Sequence, residues 1–187
     1  MIVQIENFQI KQGAFADVLI DKSNMIVLKL FKSYNHPDLN GTGKESISET
    51  ITNEFRKKVF ESEKQAYINI QNSELLKKFT PKYFGNKIID KVTSNNIEIS
   101  SNYLLDCCLI LEFIIGDDYK LYSLLSDEVK TKQLEKKFFL SINEIINSFI
   151  ERDVLYTLDS SVIYNDIDFK IIDFATKNFN DFEPIIQ

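Results

Sequence analysis

Apolar positions along the first third of the chain fall in short blocks, Ile2 to Ile10, Phe15 to Ile20 and Met25 to Phe31, each alternating or nearly continuous and closed by polar residues. Blocks of this length predict antiparallel strands, and Asp21-Lys22-Ser23-Asn24 predicts the hairpin turn between the last two. The pattern lapses from Ser33 to Thr50. There SYNHPDLNGTGKESISET carries Pro37, Gly41 and Gly43 without periodicity, so the segment reads as a mobile loop rather than core. Its GTGK lacks the GxxxxGK[ST] spacing, and Glu45 follows Lys44, which argues against a phosphate loop. From Ile51 or Asn53 the period becomes helical through NEFRKKVFESEKQAYINI, with Phe55, Val59, Ala66 and Tyr67 as apolar contacts. Glu63 precedes Tyr67 by one turn and shares its face, whereas Glu61 points elsewhere.

After Pro81 the apolar pattern predicts strands over Lys87 to Val92, Ile97 to Ser101 and Tyr103 to Phe113, the last running up to Gly116. Helical stretches follow at Leu121 to Leu125 and Val129 to Glu151, and VIYNDIDFKIIDF, Val162 to Phe174, reads as a closing pair of short strands around a polar turn. Strands with one helix, then helices with a small hairpin, predict a two-lobed α+β architecture. A chain of 187 residues, 44% hydrophobic, supports one well-buried core with small lobes, so residues 1–187 are read as a single unit.

Composition narrows the chemistry. A net charge of -6 disfavours non-specific nucleic-acid binding, and Lys77, Lys78 and Lys82 read as solvated helix surface. The aromatic residues suit core packing better than base stacking. No apolar run is long enough to span a bilayer, and MIVQIENFQIKQ lacks the form of a conventional signal peptide, so neither a nucleic acid nor a membrane is expected as partner. The reading is a cytoplasmic protein, equally compatible with specialised secretion into a host cell; the oligomeric state is left open. Cys107 and Cys108 are adjacent in the apolar run CCLILEF and read as strand packing. His36, the one histidine, sits beside Pro37 in the polar loop, where loop polarity explains it and a histidine-based triad or metal centre finds no support.

Two residues suggest a reaction. Lys29, in the strand VLKLFK downstream of a turn carrying Gly13, and Asp173, at the end of the last predicted strand, form an acid and base pair of the kind that holds a triphosphate and its magnesium. In order along the chain, QGAFADV (Gln12 to Val18), VLKLF around Lys29, ESEKQAY around Glu63, LEFIIGDD (Leu111 to Asp118) and IIDFA (Ile171 to Ala175) resemble the motifs of the protein-kinase-like superfamily, from roughly Ile10 to Phe174. The resemblance implies a minimal bilobal fold, with an N-terminal antiparallel sheet over residues 1–115 and a reduced helical C-terminal lobe over 116–187. It implies ATP with Mg2+, or Mn2+, as cofactors and a protein hydroxyl as acceptor. Gly13 would lie in the nucleotide-covering turn, Lys29 on the α and β phosphates, Glu63 beside Lys29, Glu112 in the nucleotide-binding strand before the hinge, and Asp173 on the metal. Ala175 stands where the family has glycine, which would restrict switching or leave the segment fixed in one state.

The catalytic loop departs from the family pattern. In FIERDVLYTLDSSVIYN, Tyr156 stands where the catalytic aspartate is expected and Ser161 where the metal-binding asparagine is expected. Asp159 is the favoured displaced acid, with Asp153 as the alternative in a turn ending a helix. Asn165 and Asp166 read as the tight turn before Phe169, with metal contact the other reading. Little chain follows Asp173, which implies an atypical kinase with a reduced substrate lobe or, as the alternative, a pseudokinase that binds nucleotide or a protein partner. An unrelated α+β domain is the third reading.

Overall fold

The computed structural model describes residues 1–39, 48–138, 142–155, 161–165 and 168–176, and these form a mixed α+β fold. Contacts divide the chain into two units, Met1–Glu61 with Tyr83–Phe113, and Ser62–Lys82 with the described residues from Ile114 onward. No helix among the described residues is long and apolar enough to cross a membrane.

The first unit contains β1 (Ile2–Gln4), β2 (Gln9–Gln12), β3 (Ala16–Asp21), β4 (Ile26–Lys32), the first half of α1 (Glu49–Gln71), β5 (Tyr83–Lys87), β6 (Lys91–Ser94), β7 (Ile97–Glu98) and β8 (Tyr103–Glu112). Five strands form an antiparallel sheet in the order β2-β3-β4-β8-β5. The predicted hairpin joins β3 to β4. The Asp21 carboxylate accepts from Ser23 Oγ at 2.6 Å, Asn24 N at 3.0 Å and Asn24 Nδ2 at 2.7 Å, which holds its pKa down at about 2.

Three expectations change here. The block Ile2 to Ile10 is not one strand: a 3-10 turn at Ile5–Asn7 breaks it, and β1 pairs in parallel with β6 in a separate sheet, β1-β6-β7. The reason is burial, because Val3 and Val92 join Leu19, Leu28, Leu30 and Cys108 in one core that a single extended strand could not close. Lys87 to Val92 is likewise two strands, β5 ending at Lys87 and β6 starting at Lys91. The segment after Ser33 is not wholly outside the core, since Ser33 and His36 are buried and Pro37–Leu39 forms a 3-10 turn. Cys107 and Cys108 do pack inside β8, and burial pushes both thiols up to about 12.

Helix α1 starts at Ser48, whose Oγ accepts the Ile51 amide at 3.3 Å as an N-cap. Arg56, Phe60, Glu63, Tyr67 and Ile70 are buried and fall on one stripe at helical spacing. In the first unit the helix is anchored by Phe31 against Phe60 (5.4 Å between ring centroids), Phe15 against Phe55 (5.9 Å), and Arg56 Nη1 donating to Phe15 O and Lys32 O.

The second unit holds the rest of α1, a 3-10 turn at Leu76–Phe79, β9 (Asp117–Lys120), α2 (Leu121–Leu125), α3 (Glu128–Phe138), α4 (Ile142–Glu151), β10 (Val154–Leu155), β11 (Ser161–Tyr164), β12 (Phe169–Ile172) and β13 (Ala175–Thr176). The predicted closing hairpin is β11 with β12, and β9 adds to it as a third strand. Asn165 makes the turn, its amide donating to Asp168 O at 3.0 Å and its Oδ1 accepting from Asp168 N at 2.6 Å. The helical stretch read from Val129 to Glu151 is two helices, α3 and α4.

Gly116 leads into β9, and a Cβ there would meet Tyr164 O at 2.8 Å and Ile163 Cγ2 at 2.9 Å. The first obstacle is backbone of the paired strand, which cannot swing aside. Gly116→Ala is therefore expected to destabilise the protein by about 1–3 kcal/mol in urea unfolding; an unchanged midpoint would show that β9 and β11 separate without cost.

Candidate functional site

In the second unit, the site begins with β12. Its burial alternates, Phe169 and Ile171 inward with Lys170 and Ile172 half-buried, and the strand ends at Asp173, which is exposed. Asp173 has φ 65, the left-handed region that aspartate and asparagine tolerate better than most residues. The next ring, Phe174, is buried between Tyr67 of α1 (5.4 Å) and Phe149 of α4 (5.1 Å). Ala175 and Thr176 then pair with Leu155 and Val154. The backbone thus turns at an exposed Asp173 while its buried neighbour anchors the segment.

Glu63 lies one turn before Tyr67 and is 3% exposed. The buried Tyr67 phenol has its pKa pushed well up, first by desolvation and then by the charges of Glu63 and Asp173. Ser161 pairs across the hairpin with Ile172, the residue before Asp173. An exposed carboxylate is a hard oxygen donor of the kind that suits Mg2+, which takes few protein ligands and completes its shell with water and phosphate oxygens. Asp153, with φ 59, ends α4 as a left-handed turn, its amide donating to Ile150 O at 3.3 Å. Tyr156, Asp159, Asp166 and the GTGK segment lie outside the described residues.

In the first unit, Lys29 is half-buried at the middle of β4, opposite Val18 of β3 and Leu109 of β8. Alternation against β3 places Lys29 on the sheet face that carries Phe31, the ring that meets Phe60 of α1. Glu112 is half-buried at the end of β8, opposite Ile26. The Gly13 amide donates to Ala16 O at 2.9 Å, and a Cβ would meet that oxygen at 2.8 Å, so the tight turn itself calls for glycine.

A second polar group in this unit was not foreseen. Asp17 is 4% exposed, and its Oδ2 accepts from Tyr103 Oη at 2.8 Å and lies 3.2 Å from His36 Nε2. Lys32, 1% exposed, places Nζ 3.1 Å from Asp17 Oδ1, 2.5 Å from Asp38 Oδ2 and 2.8 Å from Gly13 O. The contacts to Gly13 O and Asp38 Oδ2 are hydrogen bonds, and that to Asp17 Oδ1 is an ion pair. The Asp38 amide donates to His36 Nδ1 at 3.2 Å, so a neutral ring must carry its proton on Nε2, facing Asp17. Loop polarity therefore does not explain His36. It is a buried hydrogen-bonding group, and the available sequence signal was an aspartate set inside the apolar strand ADVLID. Asp17, His36 and Asp38 offer three ligand atoms within 4.8 Å of one another, but the Lys32 ammonium lies between the carboxylates and a metal would have to displace it.

A scan against protein-family models finds no match, and neither does a comparison with curated proteins. The geometry and the sequence motifs therefore carry the functional reading.

For Asp17, burial raises the carboxyl pKa, but hydrogen bonds from His36, Tyr103 and Lys32, with the Lys32 charge, outweigh it and leave the value below the ordinary 3.8. The stability it contributes is full above that ordinary value and is lost as pH falls through the folded one. Lys32→Met leaves the buried carboxylate without its cation and is expected to cost about 3–5 kcal/mol near neutral pH. It also shrinks the stability lost on acidification from about pH 5 to 3. Urea unfolding of both proteins across that range checks both; equal acid slopes would remove Lys32 as the cause of the depressed pKa.

Proposed function

We propose that this chain is an ATP- and magnesium-dependent phosphotransferase of the protein-kinase-like class, with a minimal two-lobed fold and a protein hydroxyl as acceptor. The observation that carries the reading is the ring contact of Phe174, the residue after Asp173, with Tyr67 of α1, one helical turn beyond Glu63. The residue next to the post-strand acid thus meets the helix that carries the other acid, in the order the motifs imply. In the first unit, Lys29 shares a sheet face with Phe31, which meets Phe60 of α1.

In this reading Lys29 binds the α and β phosphates, and Glu63 has the role of its ionic partner that the resemblance implies. Asp173 would hold Mg2+ or Mn2+; when bound, the metal offsets charge on the transferring phosphoryl group. Gly13 and Glu112 line the nucleotide, and Asp159 receives the acceptor proton. A pseudokinase is the second reading, favoured by Ser161 standing where a metal-binding asparagine is expected.

The test is incubation of the purified protein with γ-labelled ATP, Mg2+ or Mn2+, and a protein extract, with labelled products identified by mass spectrometry. Asp173→Asn preserves a residue that tolerates left-handed backbone while removing the charge. It is expected to lower labelling by about a hundredfold. Full labelling by this variant would sink the phosphotransferase reading. Mg2+-dependent ATP binding without any labelling would select the pseudokinase.

A further inference from the structure

The left-handed backbone of Asp173 is an arrangement that a non-glycine residue keeps only when its surroundings hold it. On its C-terminal side two anchors do so. One is Phe174 between Tyr67 and Phe149. The other is a hydroxyl clasp: Ser62 Oγ of α1 accepts the Thr176 amide at 2.9 Å and lies 3.1 Å from Thr176 Oγ1. Ser62 is the residue immediately before Glu63. The clasp therefore ties the strand that follows Asp173 to the helix position that carries the other acid. Both hydroxyls are half-buried, and the Thr176 amide is spent on Ser62.

We propose that Ser62 is a positioning residue, whose hydroxyl fixes the segment from Asp173 to Thr176 and so sets the affinity of the site for the magnesium-bound nucleotide. The proposal rests on the phosphotransferase reading for the role of Asp173. Ser62 touches neither nucleotide nor metal in this scheme; it acts through the backbone. Removing its hydroxyl leaves the Asp173 carboxylate in place but frees the turn that aims it. Thr176→Val keeps the amide bond to Ser62 and loses only the contact between hydroxyls, so its effect is smaller.

The test uses the full chain, a non-hydrolysable ATP analogue and Mg2+. Amide exchange at Thr176 is followed by NMR, and the Mg2+ concentration for half-maximal analogue binding is measured by calorimetry. In Ser62→Ala, exchange at Thr176 is expected to rise by about tenfold and the Mg2+ midpoint by about fivefold; Ser62→Thr restores both, and Thr176→Val falls between. Should Ser62→Ala fail to fold, Thr176→Val against wild type carries the comparison. A wild-type midpoint in the folded variants overturns the positioning role while leaving the phosphotransferase reading intact, as does a loss that Ser62→Thr does not restore. A wild-type protein that binds no analogue at any Mg2+ concentration overturns the nucleotide reading, and the positioning role with it.

Discussion

Charge taken out of water must be matched, and the described residues bury it in more than one place. Asp17, Lys32, Arg56 and Glu63 are each 5% exposed or less. An unmatched ion in such surroundings costs several kcal/mol, so each position dictates its neighbours. Lys32 answers Asp17, and in doing so gathers Gly13, Asp38 and, through Asp17, His36 and Tyr103. The tight turn before β3, the end of β4 and the segment beyond it are consequently one polar knot rather than three loops. Arg56 answers main-chain oxygens instead, donating to Phe15 and Lys32 carbonyls and thereby seating α1 on the sheet.

The buried stripe of helix α1 mixes charge and apolar groups, Arg56, Phe60, Glu63, Tyr67 and Ile70, with the Phe60 ring between the two charges. Phe60 anchors the helix against Phe31 in the first unit, and Tyr67 anchors it against Phe174 in the second. Glu63 is buried one turn from Tyr67, whose ring contact with Phe174 seats that part of the helix within the second unit.

Much of this was legible where local chemistry decides. Asp21 with Ser23 and Asn24 announces a hairpin because the carboxylate satisfies the turn's own donors, and the apolar blocks of β11 and β12 around Asn165 do the same. That Lys29 lies in a strand, Glu63 in a helix and Asp173 just after a strand was readable because each neighbourhood has a clear period. What could not be read depended on distant partners. Asp17 meets Tyr103 across 86 residues, and β1 leaves its sequence neighbours to pair with β6. His36 looked like a loop residue because its burial is produced by β3 and β8, not by its own surroundings in sequence.

The alanine at 175 shows how the same uncertainty resolves physically. Read against the family pattern, a methyl group there threatens a backbone that needs positive φ. Among the described residues that need falls two positions earlier, at Asp173, while Ala175 is extended and paired with Leu155. A strand position carries a Cβ at no cost, and it disfavours the glycine that would let the segment turn freely. The methyl is thus consistent with a segment fixed in one arrangement. Phe174 packed on two rings and Thr176 bonded to Ser62 fix it further. Within the proposed reading, a chain built this way keeps its acid aimed by packing and hydrogen bonds already present, and has less need of a switch to bring that acid into place.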